Sequence, residues 1–189
     1  MGKQEKLDSL NKKWVRDCTC ALRGTATQAV LGSGSANAET LFIGEAPGKK
    51  EDAQGIPFIG SAGKFLNELL ASIQLRREDI YITNAVKYRP PENRDPLPDE
   101  IAACRDWLIE EIRIIDPQII IPLGRHAMNH FLPDEKISEA HGRIFQIPID
   151  GLGMKKILPL YHPAAALYNG SLRATLIQDF KKIPETLHG

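Results

Sequence analysis

Four short apolar runs constrain this chain most, because each ends in a loop rich in glycine, proline or polar residues. They cover residues 40–44, 79–85, 118–123 and 156–161. Runs of Ile, Leu, Val and aromatic residues this short, without strict alternation, read as strands covered on both faces, as in a parallel sheet. Helical patterns lie between them. Residues 62–75 place Phe65, Leu66, Leu69, Leu70 and Ile73 on one face, and residues 98–115 align Ile101, Cys104, Leu108 and Ile112 behind an acidic start. Residues 124–131 read as a short helix. Ser171 is placed to cap a last helix whose inner face holds Leu176, Ile177, Phe180 and Ile183. Alternating strands and helices imply right-handed crossovers. The expected fold is α/β, three-layer αβα, around a central four-stranded, mainly parallel sheet. No repeat or long linker interrupts it, so one domain over residues 1–189 is expected.

The 24 basic and 24 acidic residues cancel, which removes any global pull on a polyanion. Nucleic-acid binding would have to come from local clusters of Lys and Arg. The charged first residues contain no apolar stretch of signal-peptide length, and no run is long enough to span a membrane. Three cysteines, Cys18, Cys20 and Cys104, make no disulfide framework. These features lead us to expect a cytoplasmic protein with no membrane partner.

In parallel α/β folds ligands sit beyond the carboxyl ends of the strands, so the loops there are the places to search. Gly44-Glu45-Ala46-Pro47-Gly48 is a tight loop that could bring backbone N–H groups to a ligand, or simply turn the chain. Phe58 lies between glycines in Gly55-Ile56-Pro57-Phe58-Ile59-Gly60, where it could stack on a planar base or pack in the core. Asn84 offers one acceptor and one donor on a planar group, which matches a pyrimidine edge with adjacent carbonyl and N–H. It could equally cap the turn. His162 could donate to an oxygen that gains negative charge, or bond to backbone. Lys87, Arg89 and Arg94 flank Pro90-Pro91 in a rigid basic loop suited to phosphates, although solvated charged loops are common.

Each signal is weak alone; their order is specific. The chain runs GEAPGKKED, GIPFIGSAGKFLNELL, YITNAVKYRPPENR, IIIPLG and YHPAAAL. This resembles the uracil-DNA glycosylase superfamily, and within it family 4, over nearly the whole chain. The resemblance implies a monofunctional glycosylase that flips uracil from DNA and hydrolyses its bond to the sugar. It assigns catalytic positions to His162, Glu45 and Glu51, and uracil-binding positions to Gly44, Phe58 and Asn84. Lys87, Arg89, Arg94 and Leu167 would contact DNA, with Leu167 as the wedge in a loop over residues 163–167. Other branches of the superfamily carry a water-orienting aspartate where Ala46 stands. Either Glu45 or Glu51 assists the water, or the step relies on stabilising the leaving group. The alternatives are a catalytically silent DNA-binding module of the same fold and a phosphate- or nucleotide-binding α/β protein.

Family 4 usually holds a [4Fe–4S] cluster with four cysteines. Here the first pair, Cys18-Thr19-Cys20, is one residue too close, and Tyr88 takes the third place, while Cys104 fits the fourth. No cofactor is therefore expected, and the cluster is disfavoured. The expected partner is uracil-containing DNA, and the expected state is a monomer.

Overall fold

A computed structural model describes residues 1–188, with side chains to residue 187. In chain order the elements are α1 (Lys3–Asp17), β1 (Ser33–Gly34), β2 (Thr40–Gly44), α2 (Lys49–Gln54), α3 (Ser61–Ser72), β3 (Tyr81–Asn84) and α4 (Pro98–Ile115). Then come β4 (Ile119–Pro122), α5 (Arg125–Asn129), α6 (Ile137–Ala140), β5 (Phe145–Ile149), β6 (Gly153–Ile157), α7 (Pro163–Tyr168), α8 (Ser171–Phe180) and α9 (Lys182–His188).

The sheet has six strands in the order β1-β3-β2-β4-β6-β5, rather than four. Its inner four are parallel. β2, β3 and β4 fall within the expected runs, whereas β6 starts earlier and shares only Lys156 and Ile157 with the run expected over 156–161. The residues beyond continue beside β4, with Leu158 and Leu160 N–H donating to the Ile120 and Pro122 carbonyls at 2.9 and 3.0 Å. The additions are antiparallel edges, β1 on β3 and β5 on β6. Neither edge announces itself in the sequence. β1 is two residues long, and β5 carries Pro148, which an edge strand tolerates because one side of its ladder needs no donor.

Alternate residues of β2 face opposite ways. Leu41 and Ile43 join Leu108, Ile112 and Ile115 of α4, while Phe42 joins Phe65, Leu66 and Leu69 of α3 and Phe180 of α8. Both sheet faces are thus dry, which is why the inner strands are apolar without alternation.

The long, mostly polar α1 was not expected. It buries only Leu7 and Trp14, seven residues and two turns apart. Ser171 does not cap α8; Gly170 precedes that helix, and Ser171 N–H and Oγ both donate to Asn169 Oδ1, at 3.1 and 2.7 Å. Residues 163–167 form a helix rather than an irregular loop, with Pro163 preset for its first turn.

Lys87 corrects the reading of the basic loop. It is 4% exposed, and its ammonium points inward. Nζ donates to Glu111 Oε2 at 2.6 Å, to the Asn84 backbone carbonyl at 2.9 Å and to Thr83 Oγ1. Glu111 also accepts from Tyr81 Oη at 2.9 Å and from Thr83 Oγ1 at 3.1 Å. Burial and the Glu111 carboxylate push the Tyr81 phenol far up, so it stays a donor. The ion pair is dry and fully hydrogen-bonded, and it ties the end of β3 to α4. Lys87 cannot reach a phosphate without abandoning it. Removing one partner of such a pair strands the other charge, which costs about 3–5 kcal/mol. We therefore expect Lys87→Met to lower urea-measured stability by about that amount, and Lys87→Met/Glu111→Leu to recover most of it. A parental midpoint for the single variant would rule out this role.

Candidate active site

The parallel register sets Gly44 of β2 opposite Asn84 of β3 at the carboxyl edge of the sheet. The ladder continues beyond both strands, with Ala85 N–H donating to Gly44 O at 2.9 Å and Val86 N–H to Glu45 O at 3.1 Å. A Cβ on Gly44 would collide with Asn84 Oδ1 and stand 2.6 Å from Phe58 Cζ. Gly44 is thus a space requirement that lets Asn84 and Phe58 share one corner.

Phe58 occupies the left-handed backbone region, at φ 54°, which a bulky residue adopts only under constraint. The constraints are visible. Glu51 Oε1 accepts from Ile59 N–H at 3.0 Å and Gly60 N–H at 2.7 Å. Arg77 donates to Phe58 O at 2.9 Å and also to Pro57 O. A Cβ on Gly63 would overlap the Phe58 carbonyl. Burial lowers the Arg77 pKa, and Glu51 opposes that shift. Arg77 has no sequence signal for this task, since it lies beyond α3, 19 residues from Phe58.

His162 precedes α7, and its Nδ1 accepts from Ala164 N–H at 3.1 Å. A backbone N–H can only donate, so Nδ1 is unprotonated and the neutral ring carries its proton on Nε2. Burial pulls the His162 pKa down to about 4, against a weaker upward pull from Glu51. At neutral pH the ring is an uncharged donor. It packs against Phe58 with centroids 5.5 Å apart at 29°. A third ring between them would need about 7 Å, twice a carbon contact distance. A planar ligand must meet Phe58 from the side that His162 leaves free.

These residues enclose a cavity of about 180 Å³, lined by Ala46, Gly48, Glu51, Phe58, Asn84 and His162 among others. Cavities of about 150 Å³ accept benzene, so this one suits a single ring. Asn84 is 2% exposed, and its Oδ1 has no hydrogen-bond partner among the described residues. A buried, unanswered carbonyl costs about 1–3 kcal/mol unless a ligand supplies the donor.

The structure does not bring every expected residue to this cavity. Glu45 stands beside it, in a group with His126 and Asp95. His126 Nε2 is 3.9 Å from Glu45 Oε2 and 3.1 Å from Asp95 Oδ2. Burial raises the Glu45 carboxyl pKa, with His126 opposing. Arg89 donates to Asn93 Oδ1 at 2.7 Å, and Arg94 makes a two-pronged pair with Glu100 at 2.9 and 2.6 Å. Arg94 stays at the surface, while Arg89 is half-buried. Leu167 is 47% exposed near the end of α7.

A separate cluster gathers Cys18, Cys20 and Cys104 around Tyr88 and Trp14. Trp14 stacks on Tyr88 at 6.0 Å and meets Trp107 edge-on at 5.2 Å. Cys20 N–H donates to Cys18 Sγ at 3.3 Å.

The His162 environment sets a measurable pH response. We expect its imidazole to titrate near 4 by NMR, not near 6.5. Between those values the unfolded chain binds more protons, so this contribution to stability is complete above pH 6.5 and shrinks as pH falls toward 4. A midpoint near 6.5 would contradict the buried, neutral ring.

The family model of the uracil DNA glycosylase superfamily matches residues 31–186. The chain is 46% identical to a type-4 uracil-DNA glycosylase of Archaeoglobus fulgidus, over 96% of this chain and 93% of the relative. It is 47% identical to one of Saccharolobus solfataricus, over 92% and 83% of the two chains. With one of Thermotoga maritima the identity is 42%, over 96% and 95%. Similarity of this extent takes in both edges of the sheet and every loop of the cavity. This chain belongs to the uracil DNA glycosylase superfamily and, within it, groups with the type-4 enzymes.

Proposed function

We propose that this protein excises uracil from DNA as a monofunctional glycosylase, leaving free uracil and an abasic site. The unanswered Asn84 side-chain carbonyl, Oδ1, in a one-ring cavity carries the reading. Uracil N3–H supplies the missing donor, and Asn84 Nδ2 donates to O4. A base in a duplex reaches the cavity only by extrusion, which costs a few kcal/mol. Leu167, exposed beyond His162, fills the gap left in the stack, and Arg89 and Arg94 contact the backbone.

As the glycosidic bond breaks, uracil leaves as an anion. The neutral His162 donates from Nε2 to the oxygen where charge gathers. Its lowered pKa keeps the ring uncharged at neutral pH, and a neutral imidazole holds its one N–H far too tightly to lose it there. Glu51 holds Phe58 through the loop amides, and its second oxygen faces Gly48 on the cavity wall. Glu51 is therefore better placed than Glu45 to orient the water. The domain spans residues 1–189 and acts as a cytoplasmic monomer. No helix among the described residues is long and apolar enough to cross a membrane.

We further infer that the chain holds no [4Fe–4S] cluster. Three thiols and a phenol do not make a four-thiolate set. Burial raises the Tyr88 pKa, which disfavours the phenolate a metal would need. Trp14, stacked on Tyr88 and edge-on to Trp107, anchors α1 to α4 by packing instead.

The direct test is a uracil-containing oligonucleotide, incubated with protein and then treated with alkali. We expect cleavage at uracil, a roughly 100- to 1,000-fold slower single turnover for His162→Ala, and weakened excision for Asn84→Asp. A carboxylate there cannot donate to O4 but can accept from the cytosine amino group. Parental rates in both variants would remove these residues from the reaction. In anaerobically purified protein, iron and sulfide should fall well below one cluster per chain. A brown protein with about four irons would overturn the cluster inference.

A further inference from the structure

Tyr168 is 92% exposed, the most exposed large apolar side chain of the described residues. A single exposed aromatic is ordinary on a surface, but this one has a particular place. α7 starts from the cavity histidine and runs six residues to Tyr168, about 9 Å along its axis. The helix is held along its length. Pro163 and Ala166 are buried, and α7 packs on α3 and α8. Beyond it, the Asn169 side chain is fixed by Ser171, at 2.7 and 3.1 Å. Leu167 and Tyr168 are thus displayed from a short, supported helix rather than a loose loop.

We propose that Tyr168 stacks on the base opposite the flipped uracil and so makes excision depend on the strand form of the substrate. This rests on the uracil-excision reading and on Leu167 entering the gap. Adjacent helical residues point about 100° apart. With Leu167 in the vacated position, Tyr168 therefore cannot enter the same space and lies to one side of it. Extrusion of uracil leaves its former partner with an unpaired edge, and an apolar wedge such as Leu167 at that gap partly unstacks the neighbouring step, which bares one face of that base. A tyrosine ring covers that face with little loss of side-chain freedom, and any base has a face to offer. The contact exists only in a duplex, because a single strand has no opposite base.

The test compares Tyr168→Ala and Tyr168→Phe with the parent on three uracil oligonucleotides: single-stranded, paired opposite guanine, and paired opposite an abasic spacer. Truncating so exposed a side chain should leave the fold intact, which circular dichroism checks. We expect Tyr168→Ala to lose about tenfold in single-turnover excision opposite guanine, a loss in the range of one base–aromatic stack. Rates on the single strand and opposite the spacer should stay parental, and Tyr168→Phe should behave as the parent throughout. A uniform loss on all three substrates, or a parental rate opposite guanine, would overturn the role of Tyr168. A parent protein that releases no uracil from any substrate would instead remove the excision reading itself.

Discussion

The pocket depends on one juxtaposition: Gly44 faces Asn84 across the β2–β3 ladder, and Gly44 has no side chain. A single added carbon there would strike both the Asn84 amide and the Phe58 ring. The parallel register fixes which residues meet. It is held by apolar residues packed on both sheet faces, so the site inherits its geometry from the core rather than from its own loops. The buried Lys87–Glu111 pair acts from behind, because the same ammonium that meets Glu111 also binds the Asn84 backbone carbonyl. The end of β3 is therefore tied down by charge on one side and by the ladder on the other.

The second support is paid for in backbone strain. Phe58 holds a left-handed conformation because Glu51, Arg77 and the bare Gly63 leave it no alternative. Strain of this kind survives where several contacts agree, and here they come from α2, from the start of α3 and from the segment after it. The aromatic wall is thus set before a ligand arrives. The same holds for His162, whose tautomer follows from one backbone N–H and whose neutrality follows from burial. A donor that needs no reorientation and carries no charge of its own is suited to a charge that appears only during the reaction.

The cysteine cluster shows a different kind of economy. Trp14, Tyr88 and Trp107 pack against three buried thiols. At this chain length the hydrophobic core does not need a metal to close. The aromatic stack joins α1 to α4, the same helix that supplies Glu111 to the ion pair behind Asn84. The N-terminal segment and the site are thus braced by one element.

The sequence by itself determined β2, β3 and β4, the helices α3 and α4, and the loops that carry Gly44, Phe58, Asn84 and His162. Each rests on local periodicity or on glycine and proline, which act within a few residues of chain. It could not place the edge strands, whose pairing depends on neighbours more than on their own composition. The roles of the charged residues were equally hidden. Lys87 reads as a surface cation until α4 sets Glu111 against it, 24 residues away. Arg77 reads as solvated until it meets the carbonyls of Pro57 and Phe58. Glu45 lies next to Gly44 in the chain yet faces His126 and Asp95 rather than the cavity. Backbone conformation is set largely by near neighbours, but a charge takes its meaning from whichever partner the fold brings within hydrogen-bond reach. Only the tertiary structure decided that.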